Sequence, residues 1–127
     1  MIKTKEELKE VMTNQTPANK QKFVETLKHF KETTEDTKTK NIIYITETLK
    51  TLKSKIDSQP KKPIKSPYKV DDVIKLVEGS IEADMLQYVK SYADILDDKL
   101  IKPPYLVDDV IRVMQERVVT ELYKSLD

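Results

Sequence analysis

The sequence predicts an all-α protein, and three observations carry that prediction. The chain of 127 residues holds one Gly and six Pro, a poor supply of the turn formers that tight β-hairpins require. Its apolar residues recur at steps of three and four over long windows, the period of a helix face and not of a pleated strand. Helix-start signals, Thr-x-x-Glu and Thr-Pro, stand directly ahead of those windows. The predicted arrangement is an N-terminal helical hairpin or short coiled coil, with helices over about 4–13, 17–33 and 40–57. A Pro-rich hinge joins it to a C-terminal pair of related amphipathic helices over about 70–96 and 106–126.

The first helix opens on the capping-box spacing Thr4-Lys5-Glu6-Glu7 and shows an apolar face of Leu8, Val11 and Met12. It stops near Thr13-Asn14-Gln15. Thr16 then reads as an N-cap and Pro17 as the first helical residue, where a missing N–H costs nothing. Phe23, Leu27 and Phe30 line one side of this second helix. Residues 31–41, KETTEDTKTKN, contain no apolar side chain and fit either a solvated loop or an exposed helical stretch. Beyond them Ile42, Ile45, Leu49, Leu52 and Ile56 form an a/d seam, which serves a hairpin within the chain or a homo-oligomer equally well.

SQPKKPIKSP, residues 58–67, is the hinge, because its three prolines remove N–H donors and turn the residues before them away from helix. After it, Val70, Val73, Ile74, Val77, Ile81, Met85, Val89 and Tyr92 trace a single long helical face. Pro103-Pro104 ends that run. Val107, Val110, Ile111, Met114, Val118 and Leu122 mark the last helix. Three regions follow: a basic N-terminal region at 1–57, the hinge at 58–67, and an acidic region at 68–127.

Charge divides the same way. Residues 1–69 carry a net +7 and residues 70–127 a net −6, which together give the chain's +1. The basic half is suited to nucleic acid, an acidic partner, or the acidic half of a second copy. Lys outnumbers Arg by 21 to 2, which points to AT-rich coding as in many phages and mobile elements and away from bidentate guanine or phosphate readout.

The acidic half contains an internal duplication. IKSPYKVDDVIKLV at 64–77 returns as IKPPYLVDDVIRVM at 101–114, with nine identities in the first thirteen positions. The likeness continues as Ile81/Val118, Asp84/Glu121, Met85/Leu122 and Val89/Leu126, so a whole helix and not a short motif was copied. Each shared residue has a structural task. The proline ends the preceding segment, and the tyrosine can staple onto Ile74 or Ile111. The paired aspartates meet the positive end of the helix dipole, worth ~0.3–1 kcal/mol each. Tyr68, Asp71, Asp72, Tyr105, Asp108 and Asp109 are also the candidate partner-binding residues, as two corners offered to one partner. Adjacent aspartates point about 100° apart on a helix and lack the spaced oxygens of a calcium loop, so no metal site is expected.

Enzymatic chemistry is not expected. His29 is the one histidine, and with no Cys there is neither thiolate nucleophile nor thiolate metal ligand. Gly79 is the one glycine, so no Gly-rich phosphate loop exists, and no cofactor is expected. No apolar run spans a bilayer, and the start MIKTKEELKE lacks the apolar core of a secretory signal, so a cytoplasmic protein, or one inside a virion assembled there, is expected. The favoured function is protein–protein interaction or assembly: a virion component, assembly factor or host-factor inhibitor of a phage or mobile element.

The alternative is nucleic-acid binding through Lys61, Lys62, Lys65 and Lys69, which suffice for sequence-independent phosphate contact. YKVDDVIKLVEGS, Tyr68 to Ser80, resembles the opening helix and turn of excisionase-like helix-turn-helix modules, over about a tenth of the chain. That resemblance implies a helix break near Gly79 and a recognition helix over Glu82 to Tyr92. Against it, Lys90 is the only basic residue of that helix, which also carries Glu82 and Asp84.

Overall fold

The computed structural model describes residues 1–61, 64–79, 87, 89 and 104–126. Five helices occur among them: α1 (Lys5–Thr13), α2 (Pro17–Thr33), α3 (Thr37–Asp57), α4 (Val70–Leu76) and α5 (Val107–Ser125). The described residues hold no strand, and the fold is all-α; the one extended pairing is an isolated antiparallel bridge between Lys69 and Leu106.

The helix starts form for the local reasons the sequence supplies. Thr4 Oγ1 accepts from the Glu7 N–H at 3.1 Å, and Thr16 Oγ1 accepts from the Asn19 N–H at 3.2 Å. The capping box is modified, because the Glu7 carboxylate accepts from the N–H of Lys3, not from that of Thr4. Residues 31–41 divide between helix and turn: α2 runs to Thr33 and α3 begins at Thr37. Asp36 occupies the N-cap position of α3, accepting from the Lys38 N–H at 3.1 Å and the Thr39 hydroxyl at 2.7 Å. The Thr39 bond, with the Lys38 N–H, holds the Asp36 carboxyl below the usual carboxylate range.

The expected helix over 70–96 is interrupted. α4 ends at Leu76, and Val77–Gly79 form a turn in which Gly79 adopts φ +93°, a left-handed value open to glycine. Of the segment beyond, only Gln87 and Val89 are described, both helical, and Val89 is fully buried; the rest of that expected face lies outside the described residues. The copy has no such break, since Glu116 stands at the equivalent of Gly79 and α5 passes through it. The Ser66–Pro67 peptide bond is cis.

The chain divides into two compact units, Met1–Ile43 with Glu116–Asp127, and Tyr44–Gln115. This partition differs from the charge boundary at the hinge. In the first unit the buried apolar residues are Ile2, Leu8, Val11, Phe23, Leu27, Ile42, Ile43, Val118 and Leu122. Thr26 ties the N-terminus into that core: its hydroxyl oxygen accepts from the Ile2 N–H at 2.9 Å and donates to the Lys22 carbonyl at 2.7 Å. Lys22 in turn meets Glu7 at 2.5 Å across α1 and α2. That ammonium, with the Lys3 N–H, lowers the Glu7 pKa.

In the second unit Ile45, Leu49, Leu52 and Ile56 of α3 are buried with Tyr68, Val70, Val73, Val107, Val110, Val113 and Met114. The a/d seam, Ile42 included, is between 0% and 5% exposed within the single chain. Its two heptads therefore already serve as core before any second chain is present. Lys50 donates to Gln115 Oε1 at 2.7 Å, and Lys53 forms an ion pair with Asp108.

Candidate functional sites: paired corners and an apolar groove

The duplicated corners meet each other. The Val70 N–H donates to the Tyr105 carbonyl at 2.9 Å, and the Val107 N–H donates to the Tyr68 carbonyl at 2.8 Å. Tyr68/Tyr105, Lys69/Leu106 and Val70/Val107 are each equivalent at the 37-residue spacing, so the motif pairs with its own copy about a local pseudo-two-fold. The physical need is plain. The first N–H groups of any helix lack partners inside it, and the residues preceding α4 and α5, Lys69 and Leu106, have no side-chain oxygen for a cap. Each helix start therefore caps the other through a backbone carbonyl.

The candidate residues separate accordingly. Tyr68 is 2% exposed, and its hydroxyl donates to Asp57 Oδ1 at 2.6 Å, tying the last residue of α3 to the corner. That bond to a carboxylate, joined by burial, raises the Tyr68 pKa above the usual phenol value. Tyr105 is half-buried and contributes its carbonyl to the pairing. Asp71 and Asp108 are exposed, Asp72 and Asp109 half-buried, all four in the first turns of their helices. Asp108 pairs with Lys53, and Asp109 stands 3.9 Å from Arg112. The corners are brought together, with Tyr68 turned inward. Lys61, Lys65 and Lys69 are exposed, and Lys62 lies outside the described residues.

Asp57 is the residue that sequence reading missed. A signal existed: the 37-residue spacing also aligns Leu49/Leu86, Lys53/Lys90, Ser54/Ser91 and Asp57/Asp94, so the duplication reaches back before the hinge. In sequence the copied stretch thus reaches from 49 to 77 and from 86 to 114.

A second feature belongs to the first unit. α1 and the last turns of α5 leave a groove of about 350 Å³ lined by Leu8, Lys9, Met12, Thr13, Val119, Thr120 and Tyr123. Leu8 is buried at its floor, Met12, Val119 and Tyr123 are half-buried walls, and Lys9, Thr13 and Thr120 are exposed at the rim. The Nζ atoms of Lys5 and Lys9 lie 5.0 and 5.6 Å from the centroid of the Tyr123 ring, within cation–π range. Neither ammonium has a carboxylate partner among the described residues. Among the described residues there is no group of three His, Cys, Asp or Glu able to hold a metal ion, and no helix long and apolar enough to cross a membrane. Compared with known proteins, the chain matches no family model, no curated protein sequence and no solved structure.

Proposed function

We propose that this chain is a non-enzymatic helical interaction or assembly protein, and that the groove of the first unit is where it meets another protein. The observation that carries this reading is the coincidence of an apolar cleft with two cations that have no carboxylate partner among the described residues. Such a cleft offers a partner both buried area and a charge to answer, the two ingredients of a selective contact. The paired corners serve this function as a brace, since their exchanged backbone bonds and the Tyr68 hydroxyl are engaged within the chain. A phage or mobile-element setting, as virion component, assembly factor or host-factor inhibitor, rests on the Lys-rich composition.

The test is a photo-crosslinking residue at Thr120, with Lys65 as the control position, in cells or particles that contain the protein. A discrete protein captured at Thr120 and not at Lys65 supports the reading. Capture of nucleic acid at Lys65 instead supports the second reading. That alternative draws on one specific observation, the helix end at Leu76 and the left-handed Gly79 where a helix-turn-helix needs its turn. It requires duplex binding at ~50 mM salt that falls steeply by ~200 mM and weakens when Lys61, Lys62, Lys65 and Lys69 become Gln.

A further inference from the structure

We propose that the groove docks the apolar face of a short acidic helix from a partner protein, with Lys5 and Lys9 meeting its carboxylates. The proposal rests on the interaction reading and adds the chemistry of the occupant.

Shape comes first. The groove walls are two helices: α1 contributes Leu8 and Lys9 with Met12 and Thr13 one turn on, and α5 contributes Val119 and Thr120 with Tyr123 one turn on. A trough between helical ridges accepts side chains at matching intervals, and an amphipathic helix supplies them at i, i+3, i+4 and i+7. A volume of about 350 Å³ lies at the small end of the ~300–1,000 Å³ range of ligand clefts, which fits a few apolar anchors and not a folded domain.

Charge selects the sign of the partner. Lys5 and Lys9 sit one turn apart on α1, and both hold their ammonium groups against the same aromatic ring. Two like charges so close repel each other, and burying them beside an uncharged helix leaves them without a counterion. On the α5 side, Glu121 stands 3.8 Å from Lys124. A helix with carboxylates flanking its apolar stripe relieves both ammonium groups, whereas a basic helix adds to the repulsion.

The probe is a fluorescein-labelled amphipathic peptide of about 15 residues, long enough to be helical when docked, with Leu at i, i+3 and i+7 and Glu on the flanks. The expected result is saturable binding that shifts the amide resonances of Lys9, Met12, Thr120 and Tyr123. The same peptide with Lys for Glu, or with Ala for Leu, binds at least roughly ten-fold more weakly, the combined effect of losing the apolar anchors or reversing the rim charge. Lys5→Gln with Lys9→Gln weakens the acidic peptide roughly five-fold and flattens its salt dependence. Thr120→Trp, an exposed position whose enlargement fills the groove, abolishes binding while leaving the helical signal intact.

Equal binding of the acidic and basic peptides overturns the proposal. So does indifference to the two lysine changes, or to Thr120→Trp. Concentration-dependent self-association that Thr120→Trp abolishes, with no saturable binding of the acidic peptide, assigns the groove to a second copy and overturns it as well. Failure here is separable from failure of the interaction reading: a protein crosslinked at Thr120 through a non-acidic segment retains the interaction and removes the acidic helix. Absence of any crosslinked protein removes both.

Discussion

At the scale of the residue, the informative side chain is Tyr68, because one hydroxyl joins three segments. It leaves the hinge, reaches back to the end of α3, and holds the corner from which α4 departs. Tyr68→Phe keeps the ring and its burial while removing the donor, so Asp57 loses a short bond and the corner loses its tie to α3. The expected outcome is a melting temperature lower by a few degrees with the helical signal unchanged, read by thermal denaturation at neutral pH. The pH dependence has a definite sign. The folded-state pKa of Tyr68 is raised, so its contribution is fully present below the unfolded phenol value of about 10 and is lost as pH rises through the folded value. Wild type should therefore lose more stability than Tyr68→Phe above pH ~10, a difference that cancels the lysines common to both. Equal alkaline slopes would mean that the hydroxyl is no tie. The aspartate end of this bond lies eleven positions away across a hinge of prolines, and no local rule reaches that far. Local rules saw the tyrosine as a staple onto its own helix; only matching Asp57 with Asp94 brings the other end into view.

At the scale of the element, what was legible was local. Thr4, Thr16 and Pro17 act within four residues of themselves, and their helices begin where those residues put them. The polar stretch 31–41 resolved once Asp36 is recognised as an N-cap, a role its neighbours conceal because Thr33, Thr34 and Thr37 compete for it by type. The misread element is α4. Apolar period continues through Val77 to Ile81 and Met85 and predicts one helix, whereas the helix-turn-helix resemblance implies a break near Gly79, and Gly79 does turn left-handed. A Cβ added at Gly79 meets nothing within 4 Å, so the cost of Gly79→Ala is the backbone alone, about 1–2 kcal/mol. Gly79→Asn, which tolerates that backbone better, should cost less. Glu116→Gly makes the reverse change in the copy and should cost about 1 kcal/mol by weakening the interior of α5. Urea midpoints check all three; a neutral Gly79→Ala would show that this turn is not fixed by glycine.

At the scale of the whole molecule, the duplication and the charge asymmetry are separate facts with separate consequences. Net charge of +7 before residue 70 and −6 after it governs which partners approach, while the compact units cut across that boundary. The duplication governs how the chain closes on itself. A copied motif that pairs with its copy behaves as an isologous interface within one chain, where each contact made by one half is made in return by the other. Both helix starts lack a capping side chain, so losing one half of the exchange should weaken the other. Val70→Pro and Val107→Pro test this, because proline is accepted at the first position of a helix, as Pro17 already illustrates, and lacks the N–H. Both valines are almost fully buried, so Val70→Ala and Val107→Ala measure the packing loss to be subtracted. After that subtraction each proline should cost about 1 kcal/mol, with an unchanged m-value in urea. The double variant should cost less than the sum of the two by at least about 0.5 kcal/mol, since the second bond is already weakened when the first is gone. Strict additivity would mean that the two corners cap independently, and that their resemblance records ancestry without a shared contact.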